Sequence, residues 1–129
     1  FIMNTQLERK KNIKRKLNLV KSIVENKNIL IVDDSIVRGN TSKHLINMIK
    51  KYGCKKIYFA SCSPIIKSTN NYGIYIPTRE ELISFNRDEE KIKQELEVDY
   101  LIYNDLDKII DGLKEINKDI NNFEISMFL

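Results

Sequence analysis

The sequence predicts an α/β domain in which helices flank a parallel sheet, and three observations predict it. Ile29–Val32 is a continuous apolar run, three of its four residues β-branched, bounded by polar residues. Such a run suits a strand buried on both faces. Thr41–Tyr52 follows as a helix, with Leu45, Met48, Ile49 and Tyr52 on one face, and Lys56–Ser61 reads as the next strand after a short turn. A strand–helix–strand unit of this kind is expected to be parallel and right-handed. Finally, Asp33 and Asp34 stand at the carboxyl end of the first strand, where ligands sit in such sheets.

The remaining elements follow in order. Phe1–Asn18 is crowded with Arg9, Lys10, Lys11, Lys14, Arg15 and Lys16. Without interleaved aromatics, this stretch reads as a solvated helix face near an anionic site rather than a nucleic-acid surface. Leu17, Leu19, Val20, Ile23 and Val24 fit a short helix or an irregular strand. Asn28–Val32 is the first strand. Asn40 or Thr41 can cap the helix after it, and Gly53 is its expected stop. Pro64 ends the second strand, and 67–71 is a polar loop. Tyr72–Ile76 reads as a short strand closed by Pro77, and Thr78 as the start of a short helix with Glu81 completing a capping box. Asn86 and Glu89 repeat that device for a helix over Asp88–Glu97. Tyr100–Tyr103 is another strand. Asn104 is then expected to cap a helix striped by Leu106, Ile109, Ile110, Leu113 and Ile116. Ile120–Leu129 looks like the approach to a further element. No repeat or linker divides the 129 residues, so one domain is expected.

Composition narrows the function classes. No apolar run is long enough to span a bilayer, and polar, basic Phe1–Leu17 does not fit a signal peptide. Cys54 and Cys62 fit no zinc spacing, and so few cysteines suit a reducing cytoplasm. A net charge of +4 and a pI near 9.0 tolerate phosphorylated ligands. The abundance of Ile, Lys and Asn carries little mechanistic weight.

The chemistry concentrates in Ile29–Ser42. After the acidic pair, Ser35, Ile36, Val37, Arg38, Gly39, Asn40 and Thr41 form a short loop rich in backbone N–H groups and polar side chains. Gly39 permits a tight turn. The following helix points its positive end back at the loop, so a phosphate is its natural guest. The two carboxylates would repel that phosphate, yet they can accept hydrogen bonds from sugar hydroxyls and stabilise positive charge growing on a sugar carbon. A phosphorylated ribose satisfies both halves.

Ile29–Thr41 resembles the phosphoribosyl pyrophosphate (PRPP) motif of type I phosphoribosyltransferases, and its Ser-Ile-Val-Arg-Gly form resembles the glutamine amidophosphoribosyltransferase branch. The likeness continues in order through Phe1-Ile2-Met3, Arg15–Asn18, Lys55–Ser61, Tyr72-Gly73-Ile74, Glu81-Leu82-Ile83 and Asp105-Leu106. The resemblance implies a type I phosphoribosyltransferase-like parallel sheet flanked by helices, here incomplete, and a glycosyltransferase that forms 5-phosphoribosylamine from PRPP and glutamine-derived ammonia in the first step of purine biosynthesis. It assigns Asp33 and Asp34 to the ribose hydroxyls and to Mg²⁺, and Ser35–Thr41 to the 5′-phosphate. It further implies inhibition by purine nucleotides and a homo-oligomer in the full enzyme.

Departures qualify these expectations. Asn40 stands where this branch usually has Thr, which weakens the expected grip on phosphate. Tyr75 stands where Gly-Ile-Asp-Met-Pro usually has an acid, on the amine-delivery side. The positions of a family iron–sulfur cluster fall near Asn70 and 122–127, where no cysteine stands, so no cluster is expected. The glutaminase domain with its N-terminal cysteine is missing. The chain is therefore expected to be part of the transferase domain, poorly stable and inactive alone.

Other readings fit less well. Ile29–Ser35 also resembles a response-regulator receiver, but after Lys56–Ser61 the chain reads Cys62-Ser63-Pro64, with no phospho-accepting Asp. A non-catalytic PRPP- or nucleotide-binding regulator, or a remnant of the enzyme, remains the alternative. A DNA-binding regulator would need a helix-turn-helix pattern that is absent, and a salvage enzyme would not carry Ser35–Arg38. Arg38 is expected either to contact a nucleotide or to lie exposed. His44, placed away from the apolar stripe, is expected to be exposed, and Tyr58 and Phe59 to belong to the core.

Overall fold

A computed structural model describes residues 21–70, 72 and 75–129. The basic segment 1–18 with Leu19 and Val20 lies outside the described residues. Ile23 and Val24 belong to a single helical turn, α1 (Lys21–Val24). The first strand, β1 (Asn28–Asp33), runs one residue further than expected and takes in the first acid. It leads through the polar loop into α2 (Asn40–Lys51) and back into β2 (Lys56–Ser61). A 3₁₀ turn (Arg79–Glu81) and α3 (Glu89–Leu96) come next. Then follow β3 (Tyr100–Tyr103), α4 (Leu106–Ile116) and a last 3₁₀ turn (Ser126–Phe128).

The three strands form one parallel sheet in the order β1-β2-β3. This is the α/β architecture the apolar run and the strand–helix–strand spacing predict. Parallel pairing needs long crossovers, and α2 supplies the first. The register sets Ile31 beside Phe59 and Phe59 beside Leu101. That row is the middle of the main core, which Ile46 and Ile49 of α2 and Ile92 and Leu96 of α3 cover. Ile46, fully buried, sits one step off the stripe read from the sequence. A smaller core gathers Ile66, Ile76 and Leu82, with Val37, Phe85, Met127 and Phe128 packed on it. The final turn therefore folds back: the Met127 carbonyl accepts from the Lys67 and Ser68 amides at 2.7 and 3.1 Å.

Helix ends follow the physics of caps but not always the expected residue. Gly53 does stop α2, with φ of 77° and its amide on the Lys50 carbonyl at 2.9 Å. The start of α2 has Gly39 as N-cap and no side-chain cap, so neither Asn40 nor Thr41 serves. The box expected at Thr78 does not close, because no side chain caps that 3₁₀ turn. Asp88, not Asn86, caps α3 by accepting from the Lys91 amide. Asp105, not Asn104, caps α4 by accepting from the Asp107 and Lys108 amides. In each of the last two cases a carboxylate prevails, and it also suits the positive end of the helix. Of the strand expected over Tyr72–Ile76, the described residues Tyr72, Tyr75 and Ile76 are not in a strand.

Candidate functional site

The site is built where the three strands end. Beyond β1, the Asp33 carbonyl accepts from the Cys62 amide and the Asp34 carbonyl from the Ser63 amide, both at 2.9 Å. Pairing thus continues past the strands and holds the backbone of both acids. Asn104, just after β3, locks the arrangement: its Nδ2 donates to the Cys62 carbonyl at 3.0 Å and its amide to the Ser63 carbonyl at 3.4 Å. Nothing local in the sequence pointed to Asn104 in this role, since the residues it holds are distant in the chain.

The two acids differ in setting. Asp33 lies in register with Ser61, which pairs in turn with Tyr103. Its Oδ1 accepts from the Asp34 amide at 3.0 Å. Burial raises its pKa above the ordinary value; the Asp34 amide bond opposes that rise, and the neighbouring Asp34 charge adds to it. Asp34 is exposed, and its Oδ1 accepts from the Ser35 hydroxyl at 3.2 Å. A carboxylate whose charge is disfavoured gains when hydroxyl donors or a cation approach it.

The loop from Ser35 to Thr41 divides its residues between two tasks. Ile36 is buried in the main core and Val37 packs on the smaller one, so the side chains of both anchor the loop. Gly39 is buried with φ of 74°. A Cβ there would fall 2.5 Å from Ile83 Cδ1, so both the turn and the close approach require glycine. The Gly39 carbonyl accepts from the Lys43 amide at 2.8 Å, closing the first turn of α2. Asn40 and Thr41 are exposed at that turn, while Ser42 is buried on the inner side. With no side-chain cap, the amides of the first turn face an open end, the arrangement that attracts anions.

Arg38 is half-buried rather than exposed. It neither lies free in solvent nor extends along the loop; its Nε donates to Glu81 Oε2 at 2.5 Å and its Nη2 to the Tyr75 carbonyl at 3.3 Å. The Ile83 amide also donates to the Val37 carbonyl at 2.9 Å. Glu81 and Ile83 thus hold the loop, contacts that their sequence reading, a capping role for Glu81 and a place in the family likeness, did not include. His44 is half-buried rather than exposed, and its Nε2 is enclosed without a hydrogen-bond partner among the described residues. Phe59 is in the core as expected, whereas Tyr58 is half-buried and stacks on Tyr100. Cys54 and Cys62 are free thiols. Among the described residues, no three His, Cys, Asp or Glu side chains gather in metal-ligand geometry, and no helix is long and apolar enough to cross a membrane.

No protein-family model matches the chain. It is 45% identical over 128 residues to the amidophosphoribosyltransferases of Pasteurella multocida and Escherichia coli, and 42% identical to that of Saccharomyces cerevisiae. Each alignment covers 99% of this chain and 25% of the relative. Among solved structures, the glutamine PRPP amidotransferase from B. subtilis, complexed with ADP and GMP, matches with a TM-score of 0.68 at 31% identity. That match covers 95% of this chain and 26% of the other. A structure described as the allosteric regulatory enzyme of purine biosynthesis matches with a TM-score of 0.69 at 30% identity. The chain therefore spans about a quarter of the length of the relatives it matches, and across that span its sequence is similar to amidophosphoribosyltransferases and its fold is the type I phosphoribosyltransferase-like α/β sheet.

Proposed function

We propose that the chain carries the PRPP site of an amidophosphoribosyltransferase. The observation that carries this reading is the junction of β1 and α2: two adjacent carboxylates at a strand end, a glycine in the left-handed region, and an uncapped helix start within one short loop. The 5′-phosphate sits on the backbone amides of Ser35–Thr41 and on the hydroxyl and amide side chains of Ser35, Asn40 and Thr41. Asp33 and Asp34 accept hydrogen bonds from the ribose hydroxyls. Positive charge that grows on the ribose as the pyrophosphate departs is stabilised by the same carboxylates, whose backbone is held by the Cys62 and Ser63 amides.

A magnesium ion fits the donor set: Asp33 and Asp34 offer hard oxygen ligands and would hold it, too few to enclose it without substrate oxygens and water. When bound, it neutralises charge on the leaving pyrophosphate.

In the complete enzyme the reaction joins ammonia from glutamine to carbon 1 of PRPP, giving 5-phosphoribosylamine in the first step of purine synthesis. A glutaminase portion supplies the ammonia, purine nucleotides act as inhibitors, and the enzyme works as a homo-oligomer in the cytoplasm. The nucleotides in the related B. subtilis structure support the inhibitor assignment. Tyr75, in place of the family's acid, is exposed, with its carbonyl tied to Arg38. The remaining family residues on the amine side must therefore act without a carboxylate there.

Calorimetry on the full natural polypeptide that contains this segment tests the reading. Heat is expected with PRPP and magnesium, together with pyrophosphate release when ammonia is added. Replacing both acids, Asp33→Asn with Asp34→Asn, is expected to abolish turnover. No heat from the parent protein, or no effect of the double substitution, would overturn the assignment.

A further inference from the structure

Arg38 is the cation of the phosphate loop, and its position is unexpected for a phosphate ligand. The guanidinium is bound on one side by the Glu81 carboxylate and on another by the Tyr75 carbonyl. Both partners come from the stretch that also holds the loop by two other means. The Ile83 amide binds the Val37 carbonyl at 2.9 Å, and Ile83 Cδ1 fills the space beside Gly39. Backbone, side chain and charge from one short segment thus converge on three consecutive loop residues, 37 to 39. The Arg38 and Glu81 side chains are 29% and 39% exposed, so the pair is only partly screened by water.

We propose that Glu81 is a positioning residue for the phosphate loop, acting through Arg38, and that Arg38 is a tether rather than a phosphate ligand. Glu81 holds the guanidinium against the body of the domain. That tie, with the Ile83 contacts, sets the turn through Gly39 and aims the loop amides at the anion. The phosphate is then bound by backbone and by neutral side chains. The inference rests on the reading of Ser35–Thr41 as a phosphate site.

Two roles for Arg38 predict opposite signs. If Arg38 were a ligand drawn away by Glu81, then Glu81→Gln would release it and tighten phosphate binding. If Arg38 is a tether, Glu81→Gln loosens the loop and weakens binding. Calorimetry with ribose 5-phosphate, and with inorganic phosphate as a second probe, separates them in the full natural polypeptide. Glu81→Gln and Arg38→Met are each expected to weaken ribose 5-phosphate about two- to fivefold, the scale of a partly exposed ion pair. The double variant is expected to be no weaker than either single one, because both remove the same tie. Arg38→Lys keeps the charge but loses the planar fork, so it is expected to recover only part of the affinity. The exchanged pair, Arg38→Glu with Glu81→Arg, is expected to recover most of it. A merely structural pair would shift the thermal midpoint and leave affinity alone. Tighter or unchanged binding in Glu81→Gln, with the parent protein binding normally, overturns the proposal and spares the site. Failure of the parent protein to bind either probe overturns the site itself, and the tether with it.

Discussion

The two faces of the sheet are equally apolar in sequence and opposite in fate. On one face the rows are Ile29–Ile57 and Ile31–Phe59–Leu101; on the other they are Leu30–Tyr58–Tyr100 and Val32–Ala60–Ile102. Adjacent residues of β1 separate them: Ile31 is 7% exposed and Val32 is 62% exposed. The first face is covered by α2 and α3, and the described residues leave the second open. A run such as Ile29–Val32 therefore reports that both sides of a strand favour burial, and it does not report which side the same stretch of chain covers. The open face carries some local compensation. Tyr58 and Tyr100 stack with ring centroids 4.7 Å apart and planes 3° from parallel, and Lys56 Nζ lies 6.0 Å from the Tyr100 ring centre.

The largest expected effect tests that contrast directly. Phe59 is fully buried at the centre of the covered face. Phe59→Ala is expected to lower the unfolding free energy by about 3–5 kcal/mol, since it removes a large ring and leaves a cavity. Val32→Thr, which keeps the β-branch on the open face, is expected to change stability by no more than about 0.5 kcal/mol. Urea titration of the two variants measures the difference. A large cost for Val32→Thr would show that the open face is covered in solution, and sedimentation would then reveal whether a second copy covers it.

How much was legible in the sequence follows from range. Apolar runs and helical spacing are local, so β1, α2, β2, α3, β3 and α4 could be read within a residue or two. The acidic pair and Gly39 were legible for the same reason: they are consecutive and their chemistry is local. Caps were less secure. Asn86 and Asn104 were reasonable candidates, but the cap position depends on where the backbone leaves the extended region, and Asp88 and Asp105 stand there instead. Ile46 was missed because it flanks the stripe of Leu45, Met48 and Ile49 yet faces the sheet. The supports of the loop could not be read at all. Arg38 and Glu81 are 43 positions apart, and Glu81 had a plausible local use as a capping residue. Asn104 reaches Cys62 across 42 positions. Such ties exist only once the sheet has brought its strand ends together.

The next effect is of middle size and concerns the loop at the sheet's edge. Gly39→Ala is expected to cost about 1–2 kcal/mol, because an L-residue resists φ near 74°. The new methyl group would also meet Ile83 Cδ1. Adding Ile83→Val removes that end of the side chain, so it separates the two causes. If the backbone dominates, the pair of substitutions recovers little of the loss. Full recovery would show that crowding alone requires glycine, and that the loop tolerates the turn without it.

The smallest effect carries the contrast between faces into the acidic pair. Asp33 belongs to the covered-face row with Ser61 and Tyr103, and burial is the leading cause of its raised pKa. A carboxyl group whose folded pKa exceeds its unfolded value binds more protons in the folded state between the two values. Stability therefore falls as pH rises from the ordinary 3.8 through the raised value, and the penalty persists above it. Asp33→Asn removes this contribution and is expected to flatten the pH dependence of the urea midpoint, raising stability slightly at neutral pH while ligand binding is lost. Asp34→Asn removes only the smallest of the causes, so the slope is expected to shrink and remain. If Asp33→Asn instead destabilises the protein at neutral pH, the partly buried carboxylate is a structural acceptor, and the site's acids are held in place by mutual support rather than against a cost.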